Sequence, residues 1–205
     1  MRAERESRTR PLEDHMNRSI IPFTLGLFAL FTTTMATAAP VVPESKFGVC
    51  SSVQRLGPSD PGGMDEFGSH VAVEGNVAVI GAALADGFEG AAYVFEQSAT
   101  GWTQKAKLVA SDPSFFTEFG ENVRIFQDTI LIGAPSDHDG IGAMYVFRRV
   151  GNDNTTWVEE AKLTASDPTA GSFFGDSIAL GSNIAVAGAD LGSVPGFDTT
   201  GTAYV

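Results

Sequence analysis

The chain has 205 residues, 43% of them hydrophobic and 23 of them glycine, enough for a domain with a sizeable core and many tight turns. Its formal charge is −12, from 13 Lys+Arg against 25 Asp+Glu, which speaks against nucleic acid as a partner, since a phosphate backbone needs a basic surface. One cysteine, Cys50, excludes an intrachain disulfide framework.

Residues 1–39 read as an n-region and secretory signal peptide. Arg18 precedes an apolar run from Ile20 to Phe31, and small residues follow it, ending in Ala36-Thr37-Ala38. A membrane anchor would have to recruit Thr32, Thr33 and Thr34, so membrane attachment is expected only if the segment stays uncleaved. Met16 is an alternative start. The expected location is secreted, extracellular or periplasmic. Residues 40–52, with Pro40, Pro43 and Gly48, read as a linker, and Cys50 lies too far from the apolar run to carry a lipid anchor. Asn154-Thr155-Thr156 is a glycosylation sequon only in a eukaryotic secretory pathway.

From residue 53 the chain repeats itself, in copies over 53–105, 106–160 and 161–205. Phe67-Gly68 recurs as Phe119-Gly120 and Phe174-Gly175, a spacing of 52 and then 55 residues. Gly81-Ala82 recurs as Gly133-Ala134 and Gly188-Ala189. Tyr93, Tyr145 and Tyr204 share one slot, and Trp102 and Trp157 share another. Ser59-Asp60-Pro61 returns as Ser111-Asp112-Pro113 and Ser166-Asp167-Pro168. A period of about 50 residues is the mark of a propeller or repeat array.

Each copy reads as four short strands. Val71-Ala72-Val73 and Val77 to Ile80 flank the turn Glu74-Gly75-Asn76; Ala91 to Phe95 follows, then Trp102 to Leu108. The first two strands are apolar on both faces, which predicts a sheet sandwiched between neighbours. In the fourth, Trp102, Ala106 and Leu108 are expected on one face, with Thr103, Lys105 and Lys107 on the other guarding an edge. Aromatics that recur in register are expected to fill the same core hole in every copy.

Phe-Gly, Gly-Ala-(Pro) and Tyr-Val-Phe in phase resemble the FG-GAP repeat family, whose best-known fold is the β-propeller of integrin α-subunits. The chain is most similar to the secreted, mostly bacterial branch with Lys-Leu and Ser-Asp-Pro spacing. The resemblance implies an all-β fold, a partial β-propeller of about three four-stranded antiparallel blades forming an open arc. It also implies an extracellular binding or adhesion scaffold, usually of seven blades, with a protein or glycan partner and no catalysis. Seven blades need about 370 residues, so further repeats of a parent propeller are expected, and the three copies alone are expected to aggregate. Two alternatives are a propeller scaffold of a larger secreted enzyme and a cation-dependent adhesin.

No catalytic residue and no cofactor is expected. Integrin-type repeats often carry an Asp-x-Asp-x-Asp-Gly calcium loop before Gly-Ala-Pro. Here that place holds Gly75-Asn76, Gln127-Asp128 and Ser182-Asn183, too few carboxylates for the six to eight oxygens calcium takes. Gly175-Asp176-Ser177 looks like a lipase block, but no histidine follows it, and Ser177 shares a slot with His70 and Asn122. His70 and His138 are singletons in different slots. Asp137-His138-Asp139-Gly140 is the acidic loop with a metal-like look, which makes Asp137 and Asp139 weak metal candidates. Its expected counterparts are Asp86-Gly87-Phe88-Glu89 and residues 190–198, and a solvated turn is the favoured reading.

Overall fold

A computed structural model describes residues 53–151, 154–193, 196 and 199–205. The expected signal peptide, the linker over 40–52 and Cys50 lie outside the described residues. Three antiparallel meanders follow one another. The first sheet holds β1 (Phe67–Glu74), β2 (Val77–Ala82), β3 (Ala91–Ser98) and β4 (Gly101–Leu108), in that spatial order. The second holds β5 (Asn122–Phe126), β6 (Thr129–Ala134), β7 (Ala143–Arg149) and β8 (Trp157–Leu163). The third has three strands: β9 (Ser177–Leu180), β10 (Ala185–Ala189) and β11 (Thr202–Tyr204). Together they form a partial, open β-propeller.

Local chemistry sets the hairpins. Gly75 and Gln127 open the two-residue turns at φ 58° and 53°, the left-handed start that a tight hairpin needs. Gly75 adopts it freely, while the backbone N–H of Gln127 is held by the Glu74 carboxylate of the neighbouring blade. The only helix-like pieces among the described residues are α1 (Ala85–Phe88) and α2 (Asp137–Gly140). Asp86, Gly87, His138 and Asp139 inside them all have positive φ. They are left-handed turns rather than α-helix.

The blades stack face to face. Val79, Val94 and Leu108 of the first sheet pack against Val123, Ile132 and Tyr145 of the second. Leu131 and Met144 pack on the other side against Ile178 and Ala187 of the third. Side chains alternate across a strand, so one blade serves both neighbours with alternate residues.

Two sequence expectations need correction. Strand β1 is not dry on both faces: Val71 and Val73 are 65% and 67% exposed. Their equivalents in β5 face the first blade, and Val123 is 0% exposed. Strand β4 does not alternate cleanly either. Its pairing with β3 shifts between Val94 and Phe95, and β8 shifts likewise between Val146 and Phe147. An extra residue on one strand reverses the phase beyond it. Trp102 therefore packs with Ile80, Tyr93 and Phe95, while Leu108 and Ala106 lie in the opposite core.

Candidate functional site

The signature residues meet where blades join. Gly90 bridges Phe119 in parallel fashion, and Gly142 bridges Phe174. A Cβ on Gly81 would fall on the carbonyl oxygen of Gly120, and one on Gly133 on that of Gly175. Gly120 itself has φ 101°, with the Ala91 carbonyl where its Cβ would stand. Glycine is thus required on both sides of each joint, because two backbones meet there. The phenylalanine rings turn back into their own blades, edge-on to the tyrosines. Ring centres are 5.5 Å apart for Phe67–Tyr93, 5.1 Å for Phe119–Tyr145 and 5.3 Å for Phe174–Tyr204. Ala82, Ala134 and Ala189 are fully buried beside the joints. Trp157 is buried and Trp102 half-buried. At Gly188 a Cβ would meet only the Ser177 side chain.

A polar clasp closes the rim of each blade, built from residues between 21 and 50 apart in sequence. Lys162 Nζ donates to Asp112 Oδ2 at 2.7 Å and lies 2.8 Å from Asp137 Oδ2, while its ammonium sits over the Tyr145 ring. Tyr145 donates its hydroxyl to Asp112 Oδ1 at 2.8 Å, and His138 Nδ1 is 2.9 Å from Asp137 Oδ2. In the first blade Lys107 reaches Asp60 at 2.6 Å and Asp86 at 2.7 Å, over the Tyr93 ring. In the third, Tyr204 donates to Asp167 at 2.7 Å. The Tyr93 hydroxyl is buried without a hydrogen-bond partner.

Burial alone works against the Lys162 cation, but hydrogen bonds to Asp112 and Asp137 outweigh it and raise its pKa. Burial likewise raises Asp112, yet hydrogen bonds from Lys162 and Tyr145 hold it below the usual carboxylate range. Tyr145 is raised, first by burial. In the first blade, the Lys107 hydrogen bond lowers Asp60.

These contacts reassign several residues. Asp137 is no solvated turn residue: it is 2% exposed and paired with Lys162. Its slot in the first copy belongs to Ala85, and Lys107 reaches Asp86 from the next position, so the expected counterpart lies one residue away. Asp139 is exposed, and among the described residues no three His, Cys, Asp or Glu side chains gather to hold a metal. Lys107 and Lys162 close the clasp rather than guard an open edge. Ser177 begins a strand and pairs with Gly188, and His70 and His138 belong to other blades. Of the clasp aspartates, Asp137 is among the sequence-based candidates, whereas Asp60, Asp112 and Asp167 are not. The signal for them is the recurring order Ser-Asp-Pro, Tyr, Lys, with aspartate 33 residues before tyrosine in the first two copies and 37 in the third.

Above the clasps, the loops between blades differ. At the first joint Phe88, Phe115 and Phe116 cluster, with Phe115 64% and Phe116 50% exposed. Thr117 donates its hydroxyl to the Glu89 carbonyl at 2.9 Å, as Ser172 does to Ile141 at 3.3 Å, so the frames of both joints match. A recess of about 530 Å³ lies beside Phe115 and Phe116, lined also by Ser114, Ser136, His138 and Asp139.

No curated protein matches the chain. Residues 50–95, 102–147 and 157–205 each match the FG-GAP repeat, and those segments contain the Phe-Gly and Gly-Ala joints just described. The chain belongs to the FG-GAP repeat family.

Proposed function

We propose that this β-propeller module is a secreted, non-enzymatic binding scaffold whose inter-blade loops meet a protein or glycan partner outside the cell. One observation supports this most: the residues that define the repeat are consumed by the joints, while the side chains that differ between joints lie exposed on the loops above them. Exposed loops that vary over a repeated frame suit recognition. No helix among the described residues is long and apolar enough to cross a membrane. Further repeats of a parent propeller would extend the same surface, and no cofactor is part of this reading.

The test uses the labelled full chain on intact cell surfaces and on purified extracellular matrix proteins, alongside ester, peptide and glycoside hydrolysis assays. Saturable binding without turnover is the expected result. Turnover of any substrate that is lost in a loop variant, or no saturable binding to any surface, would overturn the scaffold reading.

A further inference from the structure

We propose that the first inter-blade joint carries a site for neutral carbohydrate, lined by Phe115 and Phe116 with Phe88 packed behind them; it rests on the scaffold reading above and specifies its ligand. The second joint closes with small residues at these three positions: Gly140, Ala170 and Gly171. Gly140 and Gly171 stand at φ 74° and 75°. Phe88 and Phe116 occupy the same slots at φ 77° and 59°, a region that bulky side chains rarely enter. The frame is satisfied by glycine, so the rings serve something other than the joint. Backbone outliers of this kind gather at ligand sites, and exposed clusters of aromatic rings mark binding surfaces.

The cluster is preset. The Phe116 N–H donates to the Phe88 carbonyl at 2.7 Å, tying the two loops together. Ring centres lie 5.5 Å apart for Phe88–Phe115, 4.8 Å for Phe88–Phe116 and 4.3 Å for Phe115–Phe116. The recess beside them, at about 530 Å³, is the size of a small-ligand site. Its walls divide by chemistry. Phe115, Phe116 and Ile141 supply apolar surface; Ser114, Ser136, His138 and Asp139 supply hydroxyls, an imidazole and a carboxylate. Ser136 donates to Glu118 at 2.6 Å, which leaves its oxygen free to accept.

A pyranose matches both walls at once. Its C–H face is apolar and weakly positive and stacks on the negative face of an aromatic ring. Its hydroxyls pair with a carboxylate and with serine. A purely apolar partner would bury Asp139 and His138 without hydrogen bonds, which is costly. Anionic ligands, charged sugars included, meet Asp139 and a chain of net charge −12. The sugar is therefore neutral.

Calorimetric titration of the full chain with cellohexaose, maltohexaose, laminarihexaose, xylohexaose and chitohexaose tests this. At least one should bind with a dissociation constant of about 1 mM or tighter. Phe115→Ala and Phe116→Gly, which install the second joint's residues, should each weaken it about tenfold or more, and Asp139→Asn several-fold. The melting temperature of Phe116→Gly should be unchanged or higher, because glycine suits that φ. No binding to any of the five, unchanged affinity in both phenylalanine variants, or a melting temperature lowered several degrees by Phe116→Gly would each overturn the site. If the chain still binds cell surfaces stripped of glycans while ignoring all five sugars, the carbohydrate site falls and the scaffold stands. If it binds neither, both fall.

Discussion

Val71 and Val123 hold the same place in neighbouring blades, yet one is 65% exposed and the other 0%. Both strands have the same apolar character and the same kind of tight turn. The second blade lies between two others, whereas no sheet among the described residues covers the outer face of the first. Strand patterning therefore marks where a blade would like to be dry, and a neighbour decides whether it is. The clasps repeat the lesson. Lys162 is paired with a carboxylate that is 2% exposed, while both partners of Lys107 are substantially exposed.

The sharpest way to break the comparison is at the joints. Gly133→Ala puts a methyl on the Gly175 carbonyl, and neither backbone can yield. It should cost more than about 3 kcal/mol, enough to unfold the second and third blades together. Gly188→Ala, in the equivalent slot, meets only a serine side chain that can rotate away, and should cost under about 1 kcal/mol. Chemical denaturation of the two variants compares them directly; equal losses would show that the joint is not what demands glycine.

Next come the clasps. Lys162→Met leaves the buried Asp137 carboxylate with only His138 beside it and should cost roughly 2–3 kcal/mol. Lys107→Met leaves two exposed carboxylates to water and should cost under about 1 kcal/mol. Differential scanning calorimetry on both would show the asymmetry, and a larger loss for Lys107→Met would contradict it.

Cavity formation gives a smaller contrast. Val123→Ala should destabilise by about 2 kcal/mol, and Val71→Ala by less than about 0.5 kcal/mol. A comparable loss at Val71 would mean that something covers β1 in solution.

The acid limb of stability is a finer probe. The Asp112 carboxyl is depressed in the folded chain. Its contribution is present at neutral pH and is lost as pH falls below about 4, through the folded value. Asp112→Asn should flatten that part of the stability curve, and its effect should shrink toward zero at low pH. Lys162 is raised, so its contribution is lost on the alkaline side, above about pH 10.5.

The smallest expected effect concerns calcium. The turns before Gly-Ala hold too few carboxylates, and Asp137 is engaged by Lys162, so millimolar calcium should leave the melting temperature unchanged. A rise of several degrees, reversed by chelator, would return Asp139 and its neighbours to candidacy as a metal site.

Much of the fold was legible because its rules are local. Turn residues between short apolar runs specify antiparallel meanders, and three in-phase copies specify three blades. The candidate site was harder to read. Phe88 and Phe115 lie in different copies and touch only because two loops meet over a joint. The hint was a departure from the repeat: phenylalanine where another copy has glycine. The clasp escaped for the same reason, since Lys162 and Asp112 are separated by 50 residues.

The sequence by itself determined the strands, their order and the glycines at the joints, because hairpins form between neighbours and a backbone contact admits no side chain. Only the tertiary structure decided three further things: which strand faces are dry, which carboxylate each lysine finds, and that a bulge at the outer strand sends Trp102 and Leu108 to opposite cores. Each of these depends on a surface about one repeat away in the chain, and side-chain alternation within a strand carries no information about what will be stacked against it.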